Sequence, residues 1–147
     1  MKFADFHVGQ VLRHGPASLS EDEIIRFAKD WDPQWFHTDP EAAANGYHSG
    51  LIASGWQTCA LAMRMACECA LEGSESFASP GIEAIQWLQP VRPGQPLYFQ
   101  ADILEVRRSS NKPTLGVLRW RWQLQRPDGE PVMVLLSTSL FKLPPSP

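Results

Sequence analysis

The sequence predicts an α+β fold in which an antiparallel β-sheet curls around one long apolar helix. Helical spacing of apolar residues dominates the first half of the chain, whereas the second half alternates apolar and polar residues with a period of two. The segment from about Gly55 to Leu71 carries Ala, Met, Leu and Cys on most of its faces, which is typical of a helix wrapped by other structure. Helices followed by a run of strands indicate the α+β class.

The chain is expected to form a single domain over residues 1–147. Its 147 residues are the size of one domain, and its contents of 44% apolar and 20% charged residues are close to the globular average. The 13 Lys and Arg residues are scattered and the net charge is -3, so the chain lacks the basic stripe that a nucleic-acid backbone requires. We therefore expect no nucleic-acid partner.

The apolar segments predict neither a signal peptide nor a membrane span. The start, MKFADFHVGQ, has no apolar stretch after its basic residue, and LIASGWQTCALAMRMACECAL is interrupted by Gln57, Arg64 and Glu68. We expect a cytoplasmic protein with no membrane partner.

Three cysteines, Cys59, Cys67 and Cys69, lie on the same apolar helical segment, where positions 67 and 69 point to different faces. Small buried hydrophobic residues are the favoured interpretation, and we expect no metal site.

Two helix starts are marked by capping residues. Ser20 followed by Glu23 has the spacing of a capping box, and the helix after it is expected to end near Asp32-Pro33. A shorter helix is predicted from Asp39-Pro40-Glu41, with an acid as its cap and proline in its first turn, to Asn45-Gly46.

The strands are separated by turn sequences such as RPGQ, SSNKP and RPDGE. A first short strand is expected to end at Gly15-Pro16, and a shift of the apolar face at Ile103-Leu104 indicates a bulge. The other strands are predicted at Ile82–Gln89, Leu97–Val106, Leu118–Gln125 and Val132–Leu143. Because an unpaired sheet edge promotes aggregation, we expect a homodimer, or a higher homo-oligomer, that covers it.

Asp32 and His37 are the residues best suited to proton transfer. They are five residues apart across a break at Pro33, so they can converge. A carboxylate and a neutral imidazole can hold the same water, with one group taking a proton while the other gives one. A structural interpretation remains open, in which Asp32 caps loop amides and His37 is a half-buried residue with satisfied hydrogen bonds.

Gly55, at the start of the apolar helix, provides the third element of this candidate site. Glycine allows a ligand to approach the backbone, and free amides at a helix N-terminus can polarise a carbonyl whose oxygen gains charge. A tight turn or close packing is the alternative reason for a glycine here.

The segments DPQWFHTDPEAAA and GLIASGW together resemble the signature of the MaoC-like dehydratases and (R)-specific enoyl-CoA hydratases, which have the hot-dog fold. The resemblance implies hydration of a trans-2-enoyl thioester to an (R)-3-hydroxyacyl thioester, or the reverse dehydration. Asp32 and His37 would activate water, and the Gly55 amide would stabilise the enolate. The substrate would be carried on CoA or on an acyl carrier protein, and no separate cofactor is implied.

The chain departs from that family pattern at three positions. Gln34 and Trp35 stand where Asn and Pro are common, and Ser54-Gly55 replaces a frequent His-Gly. Gln34 keeps an amide that can orient the motif, Trp35 brings a large ring to the loop, and the Ser54 hydroxyl can donate a hydrogen bond near the carbonyl.

Further substrate contacts are expected from aromatic and basic residues. The candidate walls of the acyl pocket are Tyr47, His48, Trp56 and Trp87, for each of which ordinary packing is the alternative. The candidate ligands of the CoA phosphates are Arg92, Arg107, Arg108 and Lys112, for which solvated turn charges are the alternative.

Two other functions compete with hydration. A hot-dog thioesterase would need a carboxylate on the apolar helix, and Glu68 is too far along that helix to face Gly55. A non-catalytic acyl-thioester-binding protein is the second alternative, and Trp35 is the residue that favours it.

Overall fold

The structure is a computed structural model that describes residues 1–145. The predicted domain, 1–147, therefore includes two residues that lie outside the described part of the chain. The helices are α1 (Glu21–Trp31), α2 (Trp35–Thr38), α3 (Pro40–Ala44) and α4 (Gly55–Ala66). The strands are β1 (Val11–Ala17), β2 (Ser76–Ala78), β3 (Ile82–Trp87), β4 (Leu97–Arg108), β5 (Leu115–Gln125) and β6 (Pro131–Lys142).

The six strands of residues 1–145 belong to one antiparallel sheet. The strand order is β1-β4-β5-β6, and both β2 and β3 pair with β6. The helices precede most of the sheet in the sequence, and α4 packs against β4, β5 and β6. The predicted α+β class is confirmed.

The inner face of β5 supplies the centre of the core. Its four alternating residues are almost completely buried, as the period-two pattern predicts: Leu118, Trp120, Trp122 and Leu124. Trp120 and Trp122 meet edge to face with their ring centroids 5.2 Å apart. Burial of apolar surface stabilises the fold by roughly 25 cal/mol per Å², so these large side chains contribute strongly to the attachment of α4 to the sheet.

The N-terminus of α1 is fixed by its cap. The Ser20 hydroxyl accepts a hydrogen bond from the Glu23 amide at 3.1 Å, as the sequence predicts. Ile24 and Ala28 are completely buried. The helix ends at Trp31, and the amide of Asp32 still donates to the Ala28 carbonyl at 2.9 Å. This backbone hydrogen bond to α1 therefore fixes the position of Asp32, which is the first residue after the helix.

Several predicted boundaries differ from the structure. β1 continues through Gly15-Pro16, because a register shift between His14 and Ala17 opposite β4 tolerates a proline that has no amide hydrogen. The predicted helix Gly55–Leu71 is α-helical only as far as Ala66 and ends in a π-helical turn, Cys67–Leu71. The bulge in β4 is confirmed by a register shift between Ile103 and Glu105.

Three short elements of residues 1–145 were not predicted, the first being a 3-10 turn at Phe3–Asp5. The helix α2 has four residues and β2 has three, which is too short for hydrophobic periodicity to reveal either of them.

The cysteines are less buried than the sequence predicts. Cys59, Cys67 and Cys69 are free thiols that are only half-buried, and Cys59 and Cys69 pack against the core. Burial raises the pKa of the Cys59 and Cys69 thiols. Within residues 1–145, no helix is long and apolar enough to cross a membrane.

The α1 cap provides a test of local stability. We expect Ser20→Ala to lower the free energy of unfolding by about 1 kcal/mol, because the Glu23 amide loses its acceptor. Urea unfolding followed by circular dichroism measures this loss. Ser18→Ala, at an exposed serine of the same segment, is the matched control and should have little effect; equal losses in both variants would contradict the role of the cap.

Candidate active site

Asp32 and His37 lie side by side at the junction of α1 and α2. Asp32 follows the last residue of α1. The chain then turns at Pro33, so that His37 in α2 faces Asp32. The Oδ2 atom of Asp32 is 3.3 Å from Nε2 of His37, and the side chains are 16% and 6% exposed respectively. The sequence motif is thus a compact pair of titratable groups.

The protonation of His37 is constrained by its second ring nitrogen. Nδ1 lies 2.7 Å from the carbonyl oxygen of Ile52, which can only accept, so Nδ1 carries a hydrogen. In the neutral ring Nε2 is then an acceptor, and it faces an acceptor oxygen of Asp32. Two facing acceptors require a shared proton or a bridging water. The pair is therefore suited to hold a water molecule and to exchange protons with it.

Three neighbours keep Asp32 ionised. Burial opposes its ionisation, but hydrogen bonds from Gln34 and Ser54, together with the attraction of the His37 ring when that ring is protonated, outweigh the burial and lower the pKa of the Asp32 carboxyl. Gln34 Nε2 donates to Oδ1 at 2.8 Å, and Ser54 Oγ donates to Oδ2 at 2.7 Å. Both of these residues, predicted as substrate-binding, contact Asp32 in this structure.

The start of α4 lies directly behind the pair. Ser54 is completely buried, and its hydroxyl also accepts from the Trp56 amide at 3.3 Å. Gly55 is the first residue of α4, so its amide has no acceptor within the helix and lies at the positive end of the helix dipole. An oxygen that gains negative charge would be stabilised at this position.

Gly55 is required by close packing as well. A Cβ atom at residue 55 would lie 2.4 Å from Cε2 of Trp87, so the indole of Trp87 covers the glycine. This contact is the packing alternative considered for Gly55, and it places a large ring at the edge of the site.

A cavity of about 320 Å³ lies beside the Asp32–His37 pair. His37 and Gly55 both line it, together with Thr58, which was not predicted because it lies in the apolar helix without a motif around it. The remaining lining residues are His48, Ile52, Ala53, Trp87, Leu88, Gln89, Pro90 and Val91. The cavity is mostly apolar with a few polar groups in its lining, which is typical of small-molecule sites.

The predicted aromatic walls divide into two groups. His48 and Trp87 line the cavity, whereas Tyr47 is 94% exposed and is not among the lining residues. Trp35 lies against the turn at Gly46, where an added Cβ would be 2.6 Å from the indole, and it also lies outside the cavity. Trp56 is exposed and meets Trp87 edge to face, with ring centroids 5.3 Å apart.

Three of the four predicted phosphate ligands have structural partners. Arg92 donates to the carbonyl oxygens of His48 and Gly50, so it holds the loop that brings His48 to the cavity wall. Arg107 pairs with Glu105, and Arg108 donates to the Pro113 carbonyl. Lys112 is an exposed residue of the β4–β5 turn. Among residues 1–145, no group of three or more His, Cys, Asp or Glu side chains is arranged to hold a metal ion.

A match to a protein-family model shows the family to which the chain belongs. The model of the MaoC like domain family matches residues 4–118. The chain belongs to this family. YdeM of Bacillus subtilis, which is named as an uncharacterized protein, is 34% identical over 118 residues, covering 80% of this chain and 82% of YdeM.

Two solved structures show the same fold. A MaoC-like dehydratase from Rhodospirillum rubrum has a TM-score of 0.87 and 29% identity, with 97% of each chain covered. The unliganded R-hydratase PhaJ1 from Pseudomonas aeruginosa has a TM-score of 0.73 and 19% identity, with 97% of this chain and 86% of the other covered. The predicted hot-dog fold is confirmed, and the family indicates dehydratase or hydratase chemistry.

The charge on Asp32 predicts how stability changes with pH. Because its pKa is lowered from 3.8 on folding, ionised Asp32 stabilises the fold above that value, and the contribution is lost as the pH falls through the folded pKa. We expect the difference in unfolding free energy between wild type and Asp32→Asn to be constant near neutral pH and to shrink below about pH 4. Urea unfolding at several pH values measures it; a difference that stays constant down to about pH 2 would contradict this prediction.

Proposed function

We propose that the protein is a homodimeric cytoplasmic enzyme that hydrates trans-2-enoyl thioesters to (R)-3-hydroxyacyl thioesters, or catalyses the reverse dehydration. The single observation that carries the proposal is the approach of Asp32 Oδ2 to His37 Nε2, at 3.3 Å, beside a cavity that the Gly55 amide also borders. Membership of the MaoC-like domain family supports it. The acyl group would be carried on CoA or on an acyl carrier protein.

In the proposed reaction, one water molecule is hydrogen-bonded to both the carboxylate of Asp32 and Nε2 of His37, which lie 3.3 Å apart and can be contacted together from the cavity side. The lowered pKa makes Asp32 a weak base, so the water proton moves to Nε2 while the water oxygen bonds to C3 of the substrate. The electron pair of the C2–C3 double bond moves towards the thioester oxygen, which accepts a hydrogen bond from the Gly55 amide.

The enolate then collapses. Its C2 atom takes a proton from Nε2 of His37, which restores the neutral ring and completes the addition of one water molecule. Throughout, Nδ1 donates to the Ile52 carbonyl and keeps the ring oriented, while the Asp32 carboxylate stabilises the transient imidazolium. The groups needed for this cycle all belong to one chain.

The dimer is proposed from the free edge of the sheet. Within the described part of the chain, β3 pairs with β6 alone, and Ile82, Trp87 and Leu88 are exposed large apolar residues at this edge. A second copy pairing along β3 would cover the edge and the apolar side chains. Light scattering after gel filtration should give twice the monomer mass, and a monomer at micromolar concentration would contradict the dimer.

The thioesterase alternative is weakened by the position of Glu68. Its carboxylate lies in the π-helical turn, 2.9 Å from His14 Nε2, and pairs with Arg64. It is not among the residues that line the cavity. The non-catalytic alternative rested on Trp35, whose ring lies outside the cavity and therefore leaves the Asp32–His37 pair free to act.

Removal of either proposed catalytic group tests the function. We expect Asp32→Asn and His37→Ala each to lower kcat for crotonyl-CoA hydration by about 10²- to 10⁴-fold without unfolding the protein. Loss of the enoyl-thioester absorbance measures the rate, and circular dichroism checks the fold.

Matched substitutions separate the site from general charge effects. Asp30→Asn, two residues earlier on α1, and His7→Ala, near the N-terminus, alter exposed residues of the same types and should retain the wild-type rate. A rate equal to that of wild type in Asp32→Asn or in His37→Ala would contradict the mechanism.

A further inference from the structure

A second and larger cavity is lined by residues of α4 and of the strands β2, β3, β5 and β6. Its volume is about 480 Å³. We call it the apolar chamber. Its lining residues are Trp56, Cys59, Ala60, Met63, Leu71, Ser76, Ala78, Ser79, Ile82, Ile85, Trp122, Leu135, Ser137 and Ser139. The chamber therefore offers a mainly apolar surface beside the catalytic cavity.

The indole of Trp87 separates the two cavities. One side of it covers Gly55 and lines the catalytic cavity. Two further neighbours of the indole, Trp56 and Cys59, line the apolar chamber: Trp56 meets the Trp87 ring edge to face, and the Trp87 side chain partly offsets the burial that raises the pKa of the Cys59 thiol. Trp87 thus contacts residues of both cavities and occupies the space between them.

We propose that Trp87 is a specificity-determining residue that closes the acyl end of the catalytic cavity and restricts the enzyme to short enoyl chains. The inference rests on the proposed function, because it assigns the acyl end by placing the thioester oxygen at the Gly55 amide. With the indole in place, an alkyl chain that extends past Gly55 meets the ring before it reaches the apolar chamber.

The chemistry of the chamber supports this assignment of direction. An alkyl chain gains free energy on entering an apolar cavity, whereas the charged phosphates of CoA would lose their hydration there. Each additional buried methylene group is worth about fourfold in kcat/KM when a pocket receives it. Removal of the indole would therefore allow long chains to recover binding energy that the wild-type enzyme does not use.

The test is a series of enoyl-CoA substrates with wild type, Trp87→Ala and Trp87→Leu. The measured quantity is the ratio of kcat/KM for decenoyl-CoA to that for crotonyl-CoA, because a ratio cancels a general loss of activity. We expect the ratio to be below one for wild type and to rise at least about tenfold in Trp87→Ala. Trp87→Leu keeps an apolar side chain against Gly55 and provides a second variant if the alanine variant folds poorly.

Two further variants test whether a change in the ratio depends on the apolar chamber. Phe77→Ala removes an exposed aromatic ring from β2, whose neighbours Ser76 and Ala78 line the chamber while Phe77 does not, and it should leave the ratio unchanged. Ala60→Phe introduced into Trp87→Ala fills the chamber and should reverse the gain for decenoyl-CoA.

The outcomes distinguish this inference from the proposed function. A wild-type enzyme that uses decenoyl-CoA as well as crotonyl-CoA, or a ratio that does not change in Trp87→Ala, would overturn the role of Trp87 while leaving hydration intact. A chamber occupied by a second copy of the chain would give the same unchanged ratio. If wild type turns over no enoyl-CoA, the proposed function fails. The role of Trp87 can then still be tested by calorimetry with butyryl-CoA and decanoyl-CoA. If the affinity for decanoyl-CoA relative to butyryl-CoA is the same in Trp87→Ala as in wild type, the role of Trp87 is refuted.

Discussion

The hydrogen bond between Ser54 and Asp32 is the contact on which the geometry of the site depends. Ser54 is completely buried at the start of α4, and its hydroxyl donates to Asp32 while it accepts from the helix amide of Trp56. The carboxylate at the end of α1 is thereby connected to the first turn of the helix that packs on the sheet. A second link, from Gln57 Nε2 to the Glu23 carbonyl at 3.1 Å, fixes the relative position of the two helices.

The imidazole is held by the short segment that leads into α4. The Ile52 carbonyl accepts from His37, the Ile52 amide donates to the Phe36 carbonyl at 3.3 Å, and the Ala53 amide donates to the Val91 carbonyl at 2.9 Å. This buried segment therefore positions α2 on one side and the loop after β3 on the other. Because both proposed catalytic groups are oriented through their connections to one helix start, the pair has little freedom to separate, which is the preorganisation that electrostatic catalysis requires.

The sequence was informative where local chemistry decides the structure. The Ser20 cap, the alternation along β5 and the bulge in β4 each follow from nearby residues, and each is confirmed. Contacts between distant segments could not be read in this way. Nothing near Ser54 in the sequence indicates that its hydroxyl binds a carboxylate 22 residues earlier, and nothing near Gly55 indicates that Trp87 covers it. Arg92 likewise reads as a free cation until its loop carbonyl partners are known.

The central claim is that this site adds water across an enoyl thioester, and the product formed from crotonyl-CoA in D₂O tests it most directly. The account predicts (R)-3-hydroxybutyryl-CoA with deuterium incorporated at C2, detected by NMR and chiral analysis of the product, because the proton given to C2 comes from solvent through His37. Release of free CoA and crotonate would indicate attack at the thioester carbonyl, and it would contradict the account in favour of a thioesterase.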